Sequence, residues 1–304
     1  MSSGALVIGE ALIDEVVDGG RITRHPGGSP ANVALGLARL GVATRLHTAI
    51  GDDADGELIR RRLGASGATL TTGSVTGTPT SRAAAVLAGD GSASYRFALS
   101  WDPEPLDDLG SPTLIHTGSL GAFLQPGRGV TGEVIRHGRS LGALISFDPN
   151  IRASLLPPPE ETRVVFERLA FASHVTKLSD EDAEYLYPGK SVDDVLDRLI
   201  DGGVSVAVVT RGENGASLAS GSDRVKVLSV RTRVADTVGA GDSFMAALIR
   251  ALAFDGAGWD GGVVSAHRLR TIGDIAAHAA AITVSRAGAD LPYASELQPA
   301  RIAV

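Results

Sequence analysis

Residues 236–248 read DTVGAGDSFMAAL, a run of small residues with two glycines that leads straight into an apolar, helix-like stretch. That order suits an anion, because free N–H groups and the helix dipole point at whatever lies in front of the first turn. Asp242 nevertheless stands at the mouth of the loop, and Asp236 stands six residues earlier. A carboxylate belongs there if it faces a hydroxyl about to attack a phosphoryl group, with the amides of Gly239, Ala240 and Gly241 receiving the transferring oxygens. Taken alone, the same residue also fits a helix-capping aspartate.

Outward from this stretch, short apolar runs alternate with longer helical patterns. Residues 5–10, 44–50, 113–118, 143–148, 174–178 and 204–210 read as strands buried on both faces. Helices are predicted near 30–40, 53–65, 129–141, 160–171, 179–187, 191–201, 242–254 and 272–286. Alternation of this kind predicts an α/β fold, a mainly parallel sheet with helices on both faces. Two segments stand outside it. Residues 12–27, with Gly19-Gly20, and 80–99, with "GDG", read as β-hairpins that together form a small sheet, either a lid over a site or a surface ornament.

Composition narrows the function classes. The 304 residues carry a formal net charge of -7, and no basic run exceeds Arg60–Arg62, so a nucleic-acid face is not expected. There is no cysteine, which excludes disulfides and thiolate metal sites. Neither a leader-like amino terminus nor an apolar stretch of about 18 residues is visible, and a cytoplasmic protein without membrane contact is the expectation.

Two motif resemblances fail on inspection. "YLYPGKS" (185–191) ends like a P-loop, but Glu184 stands where the first glycine is required. "GAGDSF" has Phe244 at the third glycine of a dinucleotide fingerprint. A second glycine constellation, HPGGSPANVALGLARLG (25–41), looks like a loop that starts a helix, with Ser29 as N-cap, Pro30 in the first turn and Asn32 beside the glycines. Gly27 and Gly28 leave room for a polyol to approach the backbone, although a capped helix alone explains the same residues.

Together, the two constellations resemble the paired signatures of the ribokinase-like (PfkB) carbohydrate kinase family, some 200 residues apart and in the family's order. "GEALIDEV", "FDPNIR" (147–152), "TKLSDED" (176–182) and "VVTRGENGA" (208–216) extend the resemblance over nearly the whole chain, with most likeness to bacterial fructokinases. It implies a three-layer α/β/α domain over residues 1–304 with a β lid, which in the family also forms a dimer interface. It implies ATP and Mg²⁺, with Asp242 as catalytic base and Gly239, Ala240 and Gly241 as anion hole. Asp14, Gly27, Gly28 and Asn32 match sugar-contacting positions. Thr210, Arg211, Gly212 and Gly215 match the loop beside ATP, and Lys177, Asn150 and Arg152 fall in phosphate-side motifs. Ser179 and Asp182 replace the Asn and Glu frequent in the family's Mg²⁺ motif, so Asp182 is expected to reach metal through water. Asp236, Val238, Ser285 and Gly288 match a monovalent-cation site, which suggests K⁺.

The reaction implied is phosphorylation of a primary hydroxyl of a monosaccharide, fructose first. A 2-keto-3-deoxygluconate kinase ranks second, because its substrate needs a cation for the carboxylate and Arg96 on the second hairpin is the local candidate. Ribokinase and nucleoside kinase follow. A non-catalytic sugar or nucleotide sensor is the alternative from another class, and it would lack the base or the anion hole.

Overall fold

The computed structural model describes residues 4–18, 21–87, 93–255 and 259–297. Its main sheet has nine strands. From one edge they run Asp223–Val227, Ala216–Ser220, Val206–Thr210, Val175–Ser179, Leu144–Asp148, Leu114–Gly118, Ala5–Ile8, Thr44–His47 and Thr69–Leu70. The seven strands from Val206–Thr210 onward pair in parallel, and the first two close the edge antiparallel.

The strand runs are continuously apolar because both faces are covered. Leu6 and Ile8 pack on one side with Ile145, Phe147, Phe166 and Leu199, while Ala5 and Val7 pack on the other with Val33, Leu37, Leu248 and Ile249. Helices Ser29–Arg39, Ala54–Ser66, Ala240–Ala253 and Ala266–Val284 cover this second face; Arg128–Ser140, Pro159–Phe171, Asp180–Leu186 and Val192–Asp201 cover the first. The expected three-layer α/β/α fold is what the chain adopts.

The strand order reverses between Ala5–Ile8 and Leu114–Gly118. Ligands of open parallel sheets bind beyond the carboxyl ends of the strands at such a switch point. Glu10 and Ser119 leave the sheet on either side of it, and Asp148 ends the next strand.

A separate four-stranded sheet, in the order Arg21–Gly27, Leu12–Asp18, Arg82–Leu87, Ala93–Ala98, stands over this edge. Its strands fall within both expected hairpin segments, whose turns at 19–20 and 88–92 lie outside the described residues. Register fixes its two faces: Asp14 pairs with Ala83, and Ala83 with Phe97, so these three point one way; Glu15 pairs with Ala84, and Ala84 with Arg96, so these point the other.

Three local expectations need correction. Ala216–Ser220 is a strand although its Ala- and Ser-rich sequence lacks a β-branched run, and Asp223–Val227 is a strand in which buried Val225 and Val227 alternate with exposed polar residues. The last helix starts at Ala266, six residues before the apolar period shows, behind the N-cap Ser265. Gly28, not Ser29, precedes the first turn of Ser29–Arg39.

Candidate active site

The helix Ala240–Ala253 begins from Gly239, whose φ of +79° is left-handed. A Cβ there would lie 2.6 Å from the Ala289 Cβ, so backbone conformation and packing both require glycine. The Ala240 amide donates to the Thr237 carbonyl at 3.3 Å, which makes it a poorer member of an anion hole than expected. No described residue accepts from the amides of Gly239, Gly241 or Asp242.

Asp242 lies in the first turn and does not cap its own helix. Its Oδ1 accepts from the Ser29 hydroxyl at 2.6 Å, and its Oδ2 accepts from the Asn32 amide at 2.8 Å. The two glycine constellations, separated by 210 residues or more, therefore meet on one carboxylate. Ser29 is the correction: its hydroxyl faces Asp242 and makes no cap. Burial raises the Asp242 pKa above the usual carboxylate range, against the pull of Ser29, Asn32 and the cations Lys177 and Arg152. Burial makes this carboxylate more basic than a free one despite its two donors, which fix its direction, and each oxygen retains a lone pair for a further hydroxyl.

A cavity of about 310 Å³ opens in front of this carboxylate. Asp14, Gly28, Asn32, Asn150, Lys177, Val238, Gly239, Gly241 and Asp242 line it, so the structure gathers most of the predicted residues around one space. Leu12, Ala83, Phe97 and Leu99 supply an apolar wall from or beside the small sheet. Burial also lifts the Asp14 pKa, partly offset by Arg152 and His25. Gly27 stands behind Asp14, where a Cβ would meet its Oδ2 at 2.1 Å.

Other predicted residues lie elsewhere. Arg96 is exposed and on the face of the small sheet opposite Phe97, so it cannot serve as the cation for a substrate carboxylate. Its position, one residue from a cavity-lining side chain, reverses its direction. Thr210 ends its strand at the same edge of the main sheet, and Arg211, Gly212 and Gly215 form the turn after it, outside the cavity. Gly215 is needed there: with φ +79°, its missing Cβ would stand 2.1 Å from the Val227 carbonyl.

Asp182 is occupied by structure. Its Oδ2 accepts from the Ser179 amide at 3.0 Å in a capping box, and its Oδ1 accepts from the Ile151 amide at 2.8 Å, which fixes the chain beside Asn150. Asp236 joins two segments, accepting from Val238 at 3.0 Å and Gly288 at 2.8 Å; these amides hold its pKa below the usual range. Ser285 donates to the Ile282 carbonyl. Lys190, from the failed P-loop, follows a turn and precedes the Ser191 N-cap of another helix, away from the cavity.

Sequence reasoning missed Glu10 and Ser119; it placed Asp148 at a strand end, where ligands of open parallel sheets gather, without giving it a role. Glu10 is buried in the cavity wall and accepts from the Gly121 amide at 2.7 Å; burial pushes its pKa up to about 7. Ser119 has φ +50°, a strained value for a residue with a side chain. Asp148 makes a 2.7 Å ion pair with Lys177, both side chains almost wholly enclosed. A carboxylate at or just past the end of a buried strand, as in "ISFD" and "VIGE", was the available signal.

Among the described residues no group of three or more His, Cys, Asp or Glu side chains is placed to hold a metal, and no helix is long and apolar enough to cross a membrane. Comparison with known proteins agrees with the geometry. The model of the pfkB family carbohydrate kinases matches residues 5–296. Probable fructokinase-4 of Arabidopsis thaliana is 32% identical, covering 95% of this chain and 94% of its own. The fructokinase of Klebsiella pneumoniae is 30% identical over 84% of this chain and 86% of its own. Among solved structures, the ATP-bound fructokinase of Xylella fastidiosa superposes with a TM-score of 0.82 at 25% identity, covering 96% of both chains. That of Vibrio cholerae O395 with fructose, ADP and calcium reaches 0.83 at 25%, covering 97% and 98%. A carboxylate held against free helix amides, on this fold and with a family match from the first strand to the last turn, places the chain in the pfkB family of carbohydrate kinases.

Proposed function

We propose that the protein transfers the γ-phosphoryl group of ATP to a primary hydroxyl of free fructose, with Asp242 as the base. The observation that carries this reading is the Asp242 carboxylate itself, buried, held by Ser29 at 2.6 Å and Asn32 at 2.8 Å, and set at the start of a helix whose first amides are unclaimed. A sugar seated on Asp14, Gly28 and Asn32, with Phe97 and Leu99 above it, would bring one hydroxyl to Asp242. Asp242 takes that proton, late if the transition state is loose, while the amides of Gly239 and Gly241 receive charge on the transferring oxygens. Closure of the small sheet over the cavity would exclude water and limit hydrolysis of ATP.

A neutral ligand suits this cavity. Asp14, Glu10 and Asp242 accept hydrogen bonds from hydroxyls, and Arg152 is the one wall cation whose charge no carboxylate pair takes up among the described residues. Arg96 faces away, which removes the main support for 2-keto-3-deoxygluconate. Magnesium would supply charge neutralisation on the ATP phosphates. With both Asp182 oxygens on backbone amides, the chain fits a nucleotide-borne ion held through water better than a dedicated protein cage. Asp236, ionised between Val238 and Gly288, supplies the negative charge that a potassium ion between those two segments would need.

ADP release across fructose, 2-keto-3-deoxygluconate, ribose and nucleosides tests the reading. Fructose should give the highest kcat/KM, and Asp242→Asn should lower kcat by about 10²–10⁴-fold while both substrates still bind. Near-normal turnover in Asp242→Asn would refute the base, and turnover with another sugar alone would refute the substrate.

A further inference from the structure

Arg62 stands in the third turn of the helix Ala54–Ser66, half-buried, behind the cavity wall and not in its lining. Its guanidinium donates to the Ala289 carbonyl. Asp14 and Asp290 attract it through space and Arg39 repels it, while the contact ion pairs of Asp290 go to Arg39 and Arg286. Burial and Arg39 together lower its pKa, so the place is a costly one for a cation and asks for more than packing.

The Ala289 carbonyl belongs to a segment held at every residue. Gly288 donates to Asp236 at 2.8 Å, and Arg39 pairs with Asp290 at 2.6 Å and donates to the Leu291 carbonyl. Leu291 is wholly buried against Gly36. Ala289 itself lies against Gly239, where an added Cβ would come within 2.6 Å of its Cβ and 2.9 Å of its Cα. That contact has no slack, so a shift of Ala289 passes to the residue from which Ala240–Ala253 starts.

The first turn of Arg62's helix holds the small sheet. Asp55 receives Arg82 and Arg24, and Arg62 follows two turns later on the same side, about 10 Å along the axis. Asp14, on the other face of that sheet, lines the cavity and feels the charge of Arg62. One guanidinium thus stands between the sugar-side carboxylate and the start of the helix that bears Asp242.

We propose that Arg62 is a positioning residue that couples the two halves of the site, passing the binding of a sugar at Asp14 to the loop at Gly239 through Ala289. The proposal rests on the kinase reading and goes beyond it by naming the link between the two ligands. A sugar seated on Asp14 excludes water from that carboxylate and lowers the dielectric in which it attracts Arg62. The guanidinium is then held in one geometry against Ala289, and the amides that follow Gly239 are set for nucleotide. No bond forms or breaks at Arg62, and it touches neither substrate.

Calorimetric titration of ADP with magnesium, in the presence and absence of fructose, reads this link directly. In the parent, fructose should tighten ADP by about fivefold or more, and ADP should tighten fructose by the same factor. Arg62→Gln keeps a donor for the Ala289 carbonyl and removes the charge that faces Asp14. It should bind each ligand alone within about threefold of the parent, while the mutual effect falls below about twofold and kcat drops by about tenfold. A purely structural arginine would weaken each ligand alone and leave their mutual effect in place. A parent that binds both ligands without mutual effect, or a folded Arg62→Gln that retains it, overturns the proposal. If Arg62→Gln does not fold, hydrogen exchange of the parent decides: fructose alone should slow the amides of residues 237–241 and 286–291, and unchanged exchange overturns the proposal. A parent that binds no sugar and releases no ADP refutes instead the kinase reading on which the proposal rests.

Discussion

At the residue scale, Glu10 shows how burial links titration to stability. Its ordinary pKa of 4.5 rises to about 7, with desolvation as the main cause and the Gly121 amide opposing it. Between those two values the folded chain holds a proton that the unfolded chain has released. The stability this gives is fully present below pH 4.5 and is lost as pH rises through about 7. Glu10→Gln keeps an acceptor for Gly121 and removes the titration. Urea unfolding at pH 5 and pH 8 should then show the parent losing about 1–3 kcal/mol that the variant does not lose. An identical pH slope in both proteins would rule Glu10 out as its source. Asp242 obeys the same physics with a functional outcome: because burial raises its pKa, kcat should rise with pH through a midpoint above the ordinary carboxylate range.

At the element scale, the start of helix Ala240–Ala253 is the most constrained junction. Gly239→Ala imposes a left-handed φ of +79° on a residue with a Cβ and drives that Cβ to 2.6 Å from Ala289. The variant should lose about 1–3 kcal/mol in thermal or urea unfolding, and its kcat should fall further than its fructose affinity. A Gly239→Ala protein with parental stability and turnover would mean that the junction relaxes freely. The helix Ala54–Ser66 has a different anchor. Asp53 accepts from the Gly56 amide at 2.8 Å, the Thr80 amide at 2.9 Å and the Thr80 hydroxyl at 2.8 Å, so one cap residue also ties the helix to the entry of the small sheet.

At the scale of the whole molecule, the small sheet is joined to the body through Asp55. This carboxylate is 1% exposed and receives Arg82 Nε at 2.5 Å, with Arg24 Nη1 at 3.7 Å, both from the sheet. The contact lies on the face away from Asp14 and Phe97, so it governs the sheet's position without touching a ligand. Asp55→Ala should therefore move KM for fructose and kcat together by roughly three- to tenfold and raise sugar-independent ATP hydrolysis. Unchanged kinetics in a folded Asp55→Ala protein would show that the sheet needs no such latch.

The α/β alternation was legible in the sequence because a strand buried on both faces must be apolar throughout, as in Ala5–Ile8 and Val206–Thr210. The glycine loops were legible for a related reason: left-handed backbone at Gly28, Gly215 and Gly239 admits few residues, and their spacing marked the loops before any coordinates did. The strand Ala216–Ser220 was not legible, since its place is set by neighbours and not by β-propensity, whereas the alternation in Asp223–Val227 carried a strand signal that the sequence reading passed over. Nor was the facing of a side chain in the small sheet, where one residue of register separates Phe97, in the cavity, from Arg96, outside it. Ser29 is the sharpest case. Locally it is a good N-cap, yet its hydroxyl is taken by a carboxylate 213 residues away. The chain by itself determined which residues could form a phosphoryl-transfer site and the fold that would carry them. Only the tertiary structure decided which carboxylate would be held by Ser29 and Asn32, which would stitch backbone amides and which would hold a buried ammonium, because burial and partners distinguish chemically identical groups.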